Sequence, residues 1–424
     1  MTYTRLPSGL DVALLPTTTA DLVTARIALG TGSYSVYERQ SVTAIISDML
    51  PAGTKRMTRS RVRTTFELLG AHVSVSVGTI HMYATVTSRK DAFVPALKLL
   101  FEVLAHARFT SKEFVEAKTG WLAALENEKE NTLTQGDIAL SQALFRDGHP
   151  HWNKTTDKKT KELQTVTLTE VSGVYPTLLS TIGGLITIAG DIETNRLLGH
   201  IERATRPLPT VPLGTLSQVH SDRIRQGKGG TDIIVTCRDK MNVDVLLGIP
   251  LTLTKYDDDF EPLSVGVSIL GGSSSSRLFN ELRTRKSLTY GSYASLDGFT
   301  DGYPGYLNVY GMFANDVLER GRTELKAVVR TFIERGVTMR ELTKRKEELL
   351  GKFVVGLSTT SGLNAVVFDT LLSRRPLSYI DELSERIKGM ALSKVQGAIR
   401  SHLRYEDAVT VSAGGIDMKG KPLS

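Results

Sequence analysis

The chain reads twice. The apolar stripe Leu97, Leu100, Phe101 and Leu104 recurs as Leu325, Val328, Val329 and Phe332, 228 residues later. The pair Thr110 and Glu113, spaced as a helix capping box, recurs at the same offset as Thr338 and Glu341. Leu168–Val171 answers to Leu392–Val395, and Ile186–Gly190 to Thr410–Gly414, both 224 residues apart. The alternating run Val23, Ala25, Ile27, Leu29 returns as Val243, Val245, Leu247, Ile249. Register held over so much chain implies an internal duplication, so one fold must serve both halves.

Each copy contains a strand with period-two alternation, expected to be half-buried. In the first copy Ser41 to Leu50 reads as a helix, and Thr58 opens another that sets Val62, Phe66 and Leu69 on one face before Gly70 ends it. Val73, Val75 and Val77, then Met82, Ala84 and Val86, alternate on either side of Gly78-Thr79 as a β-hairpin. Strands and helices segregated in this way predict an α+β fold of two similar domains, each a mostly antiparallel sheet covered by helices on one face. The proline-rich run Arg206 to Gly214 predicts an extended connector. The expected boundaries are 1–205 for the N-terminal domain, 206–218 for the linker and 219–424 for the C-terminal domain.

Composition removes several classes. A chain of 424 residues exceeds one simple core, and 41% hydrophobic with 23% charged residues excludes a disordered chain. The single cysteine, Cys237, excludes an internal disulfide framework and a cysteine-based metal cluster, and its apolar neighbours Ile233 to Val235 predict a buried thiol. A net charge of +7 raises the question of nucleic acid. The dense clusters Lys154–Lys161 and Arg340–Lys346 are interspersed with acids and threonines, so they read as solvated faces and no nucleic-acid partner is expected. No uninterrupted apolar run reaches the ~18 residues of a membrane span, and Met1 to Pro7 lacks a signal-peptide core. The expectation is a cytoplasmic protein without membrane contact, or a periplasmic or secreted one if a signal peptide has been removed.

The stretch Gly271 to Tyr290 reads as a serine-capped helix leading into a strand, with Ser273 to Ser276 as the cap and Leu278 and Leu282 on one face. It resembles the second-domain signature of the pitrilysin family of zinc metallopeptidases, which includes insulin-degrading enzymes and mitochondrial processing peptidases. The family pattern is S-R-L-F-x-E-L-R-x-x-x-x-L-x-Y. Ser276-Arg277-Leu278-Phe279, Glu281-Leu282-Arg283, Leu288 and Tyr290 match it. The resemblance implies two similar α+β domains facing each other across a chamber, with Arg283 and Tyr290 opposite the zinc as catalytic groups. It also makes Gly271, Gly272 and Ser273 candidates for close approach by a peptide backbone. A phosphate-binding loop is the rival reading of that Gly/Ser run, but the P-loop lysine is missing.

The family carries H-x-x-E-H on a first-domain helix, where two histidines four apart reach one zinc ion and the glutamate serves as general base. Aligning Gly53-Thr54-Lys55 with the segment after that motif places Ala44, Ile45, Ile46, Ser47 and Asp48 on it. Ala44 has no donor atom, Ser47 is a poor base, and Asp48 is a lone carboxylate. The best match to the family's remaining ligand is Glu128, and one carboxylate cannot make a site that needs three ligands. His149 and His151 flank a proline that suits a turn, and the other histidines have no partner at helical spacing. No metal or other cofactor is therefore expected in this chain.

The resemblance then implies the zinc-free subunit of a heterodimer whose zinc lies in a homologous partner, acting on a peptide substrate. A homodimer stays open. The competing reading is an inactive scaffold of the same family that binds peptide or partner, and a self-sufficient peptidase with an unusual metal site ranks last.

Overall fold

The computed structural model describes residues 1–18, 21–31, 40–78, 81–147, 149, 151–211, 230–299 and 303–423. Two compact units emerge, one built from Met1–Leu122, Lys161–Leu216 and Leu350–Glu385, the other from Ala123–Thr160, Ser217–Leu349 and Arg386–Ser424. The first holds a six-stranded sheet in the order β1-β2-β6-β3-β5-β4. Its strands are β1 (Thr2–Arg5), β2 (Asp11–Pro16), β3 (Leu22–Gly30), β4 (His72–Val77), β5 (His81–Arg89) and β6 (Ser180–Gly190). The second holds five strands in the order β7-β11-β8-β10-β9. These are β7 (Thr231–Thr236), β8 (Asn242–Pro250), β9 (Thr289–Asp297), β10 (Tyr306–Ala314) and β11 (Val409–Gly414).

Without β1, the two orders correspond strand for strand. Each sheet has one parallel pair, β2 with β6 and β7 with β11, and is otherwise antiparallel. The hairpin pairs Val77 with Met82, while Thr79 lies outside the described residues. The duplication and the α+β class are thus both present in the molecule. Cys237 follows β7 and is buried, as its neighbours predict.

In the first unit α1 (Gln40–Met49) and α2 (Arg59–Leu68) pack at β4, α3 (Lys90–Ala105) covers β5 and β3, and α4 (Ser111–Lys129) follows, belonging to this unit as far as Leu122. The Thr110–Glu113 capping box forms at the entrance to α4, where the Thr110 N–H and hydroxyl donate to the Glu113 carboxylate at 3.1 and 2.8 Å. After it comes α5 (Thr132–Leu144), which packs on β8 and β11 of the second unit. That unit also carries α6 (Phe260–Gly271), α7 (Leu318–Arg335) and α8 (Met339–Leu357) as far as Leu349. Then α9 (Thr360–Leu372) packs on β6 and β3 of the first unit.

The packing units therefore differ from the sequence repeats, because each repeat lends a helix to the other's sheet. This changes the burial expected of the central strands. Apart from their ends, β3 and β8 are buried on both faces along nearly their whole length, where the alternation predicts burial on one. Leu140, Leu144 and Phe145 close over Leu246, Val409 and Val411. Gly248 makes that approach possible, since a methyl there would lie 2.7 Å from the Leu144 side chain.

Polar strand residues caught under the lent helices need partners. Thr132 on α5 donates its hydroxyl to Asp244. Asn364 on α9 is fully buried, accepts from the Thr187 hydroxyl and donates to the Thr24 carbonyl at 2.9 Å. Asn364→Ala strips partners from Thr24 and Thr187 and is expected to cost about 2 kcal/mol of unfolding free energy. A urea midpoint unchanged from wild type would show that α9 is not pinned by this residue.

Candidate functional site

The degenerate motif lies on α1 as expected, with Ala44, Ser47 and Asp48 at helical spacing on one face. Their atoms are not arranged for a metal. The Ser47 hydroxyl donates to the Thr43 carbonyl at 2.9 Å and accepts the Val77 N–H at 3.0 Å, so it ties α1 to the end of β4. The Asp48 carboxylate is exposed, and its backbone carbonyl accepts from Arg59. Glu128, near the end of α4, accepts from the Lys159 ammonium at 2.8 Å and the Thr156 hydroxyl at 2.9 Å. A zinc ion does not fit these residues: one position has no donor, and the hydroxyl and the glutamate are spent on the protein itself.

His149 is stacked on Phe145 at 4.4 Å between ring centroids, and His151 meets the same ring edge-on at 5.5 Å. Burial holds both imidazoles neutral, His149 at about 3 and His151 at about 4. Their place is a packed aromatic turn, and Pro150 between them lies outside the described residues. Among the described residues no group of three or more His, Cys, Asp or Glu side chains is placed to hold a metal ion.

The signature stretch is built differently from its sequence reading. Helical geometry begins at Arg277 and widens to a π-helix over Phe279–Arg285, a form frequent at functional sites. The serines do not cap it. Ser276, at the N-cap position, keeps a buried hydroxyl without a hydrogen-bond partner among the described residues. The Ser273 hydroxyl accepts from Arg345 at 3.1 Å, and the Ser275 hydroxyl donates to Glu348 at 2.7 Å. These contacts fasten the serine run to α8. The close approach at Gly271 is taken by the protein itself, since a methyl there would sit 1.9 Å from the Ala294 backbone nitrogen on β9. At Gly272 a methyl would lie 2.8 Å from the Ser268 carbonyl. Gly271, Gly272 and Ser273 are therefore occupied in seating α6 and the turn after it.

Arg277 clamps the π-helix from its other side. Its guanidinium forks onto the Glu341 carboxylate at 2.5 and 2.7 Å, and the same carboxylate accepts the Thr338 N–H and hydroxyl at 2.8 Å each, completing the second capping box. Arg345, expected on a solvated face, is 4% exposed and paired with Glu348 at 2.8 Å, because its side of α8 faces the serine run. Of the remaining cations in the stretch, Arg285 pairs with Glu281 at 2.6 Å and Lys286 with Glu324 at 2.5 Å.

Arg283 is the exception. Among the described residues it has no carboxylate partner, and its guanidinium rests over the Phe279 ring at 4.9 Å. Ser287, with φ of 52°, turns the chain out of the helix, and the Leu288 N–H closes the turn onto the Leu282 carbonyl at 2.8 Å. Tyr290 follows on edge strand β9, where the register with β10 shifts between Gly311 and Phe313. The bulge leaves Tyr290 82% exposed, a geometry that re-aims a side chain.

Farther along β9 lies an acidic and aromatic face that the sequence reading missed. Burial, with Asp297 and then Asp244 nearby, pushes the Asp137 carboxyl up to about 6. Asp244 accepts the Tyr310 hydroxyl at 2.7 Å, and Asp297 accepts the Asn308 amide at 2.9 Å. Tyr310 stacks on Tyr293 at 4.8 Å. The available signal was Asp244 itself, an acid set between Val243 and Val245 in a strand.

A duplicated α+β fold of two like sheets that carries the sequence pattern from Ser276 to Tyr290 defines a relative of the zinc peptidases. Two family models match it, Insulinase (Peptidase family M16) over residues 11–149 and Peptidase M16 inactive domain over residues 165–349. The chain belongs to the M16 family. The non-peptidase homolog YmxG of Helicobacter pylori is 22% identical over 380 residues, covering 89% of this chain and 85% of that one. An uncharacterized zinc protease of Mycobacterium tuberculosis is 32% identical over 193 residues, 43% of this chain and 41% of its own. The crystal structure of a peptidase M16 inactive domain from Pseudomonas fluorescens superposes with a TM-score of 0.86 at 21% identity, covering 100% of this chain and 99% of that one. The periplasmic protease PqqL of Escherichia coli gives 0.79 at 11% identity, over 99% of this chain and 45% of its own. No helix among the described residues is long and apolar enough to cross a membrane.

The Arg277–Glu341 clamp has a measurable signature. Burial alone would raise the Glu341 carboxyl, but the Arg277 fork and the Thr338 donors hold it down at about 2. Its stabilising contribution is complete above the ordinary glutamate value of 4.5 and is lost as pH falls toward 2. Glu341→Gln is expected to lower the melting temperature at pH 7, with the gap from wild type narrowing from pH 4.5 downward. A gap that stays constant across that range would contradict an ionised clamp.

Proposed function

We propose that this chain is the zinc-free subunit of a two-chain M16-type zinc metallopeptidase, giving Arg283 and Tyr290 to a peptide site completed by a zinc-bearing homologue. One observation carries the reading. In a stretch whose other cations are each held by a carboxylate, Arg283 is left open, and Tyr290 stands 82% exposed a short turn away. An arginine and a tyrosine needed only for packing would be buried or paired.

The chemistry suits them. Guanidinium N–H groups and a phenolic O–H donate to a substrate carbonyl oxygen and stabilise the negative charge that grows there as the carbonyl carbon becomes tetrahedral. In this reading the metal and the base for its water come from the partner, since Ala44, Ser47, Asp48 and Glu128 supply neither. The chain alone is then without peptidase activity. In this reading Gly271 to Ser273 seat α6 and the turn after it, and the substrate contacts fall to Arg283 and Tyr290.

A second reading is favoured by the Helicobacter pylori relative, named a non-peptidase homolog. In it the chain binds peptide or partner as a scaffold. The two readings part on mutation. Under the first, Arg283→Ala or Tyr290→Phe lowers peptide cleavage by the mixed complex about 100-fold, the scale of one lost oxyanion donor, while size-exclusion chromatography still shows the complex. Full cleavage in both variants, with assembly intact, would leave the scaffold.

A further inference from the structure

The first unit contains a cavity of about 970 Å³, at the upper end of the range for small-molecule sites. It lies where the turn after α1, the first turns of α2 and the entrance to α4 meet. Six cations line it, Lys55, Arg56, Arg59, Arg63, Arg108 and Lys112, against three carboxylates, Glu67, Glu113 and Glu116. The carboxylates are partly spent: Glu113 closes its own capping box, and Glu116 lies 4.0 Å from Lys112. Apart from Lys112, the cations are not. Among the described residues Lys55, Arg56, Arg63 and Arg108 have no ion pair, and Arg59 donates only to the Asp48 carbonyl.

Such an excess is costly unless solvent or a ligand meets it, and the scaffold beneath is fixed. The Thr54 hydroxyl accepts the N–H groups of Arg56 and Met57 at 3.1 and 3.2 Å, and the Arg108 N–H donates to the Gly53 carbonyl at 2.8 Å. Helix α2 begins at the cavity with no acidic residue in its first turn, so its positive end adds to the field. These charges converge from a turn, a bridge and two helices onto one concavity.

We propose that this cavity binds a compact polyanion of oligophosphate chemistry, either free or as part of a nucleotide. Guanidinium forks match phosphate oxygens. Charge density favours phosphate over an acidic peptide, whose successive side chains point to opposite sides of an extended chain, whereas an oligophosphate concentrates its charge along a few atoms. Charged and polar residues outnumber apolar ones in the lining, and the cations outnumber the carboxylates two to one.

Calorimetric titration of the full chain with tripolyphosphate, ATP, orthophosphate and an aspartate-rich decapeptide tests this. Tripolyphosphate is expected to bind about ten-fold more tightly than orthophosphate. The combined change Lys55→Ala, Arg56→Ala, Arg63→Ala should weaken it about ten-fold, while Lys352→Ala, Lys394→Ala, Arg400→Ala, which removes equal charge elsewhere, should leave it within about two-fold. All three targeted side chains are exposed, so an unchanged melting temperature is expected to accompany the loss. ATP matching tripolyphosphate assigns recognition to the phosphate chain alone, and tighter ATP binding adds the nucleoside. Equal losses in both triple variants, no preference over orthophosphate, or tighter binding of the decapeptide would overturn the proposal.

Discussion

Each sheet in this molecule needs cover on two faces, and the repeat that builds a sheet covers mainly one. The other face is closed by a helix lent from the second copy, α5 over β8 and β11, and α9 over β6 and β3. That exchange turns half-buried strands into fully buried ones and leaves polar residues beneath the lent helix in need of partners. Asn364 is such a partner in one unit, and Thr132 and Tyr310 partner Asp244 in the other. Two tandem copies that exchange helices fold as partners, since neither sheet is finished by its own sequence.

The candidate site rests on a contrast between committed and uncommitted side chains. Arg277 and Arg345 serve the architecture, one clamped on Glu341 and the other buried beside Glu348 under the serine run. They fix the π-helix so that Arg283 need not contribute to stability. On α1 Ser47 is likewise committed to the fold, through Thr43 and Val77, and fastens the helix to β4. In the proposed reading, an arginine and a tyrosine left open in a chain that holds no metal are the pattern expected of a subunit that shares its site.

Much of the fold was legible because duplication doubles each signal. The capping boxes at Thr110 and Thr338, the strand Val23 to Leu29 and the hairpin at Val77 and Met82 all rest on local spacing, which a sequence displays directly. The helix exchange was not legible, since apolar periodicity says that α5 and α9 have a buried face and says nothing of what covers it. For the same reason Arg345 read as solvated within a basic run. At the site, the absence of any imidazole from Ala44 to Asp48 was readable letter by letter. The internal use of Gly271 by Ala294, and the partners of Glu128, depend on residues far away in sequence. The cations from Lys55 to Arg63 passed unnoticed because only the fold adds Arg108 and Lys112 to them.

The most direct measurement is zinc content together with cleavage of unstructured peptides, made on the purified chain, on a zinc-motif homologue from the same organism, and on their equimolar mixture. The account predicts neither zinc nor cleavage from this chain alone, and cleavage by the mixture well above that of the homologue alone. Stoichiometric zinc and peptide cleavage from the purified chain would contradict it, because Ala44 has no donor atom and Ser47 and Glu128 are each engaged within the protein.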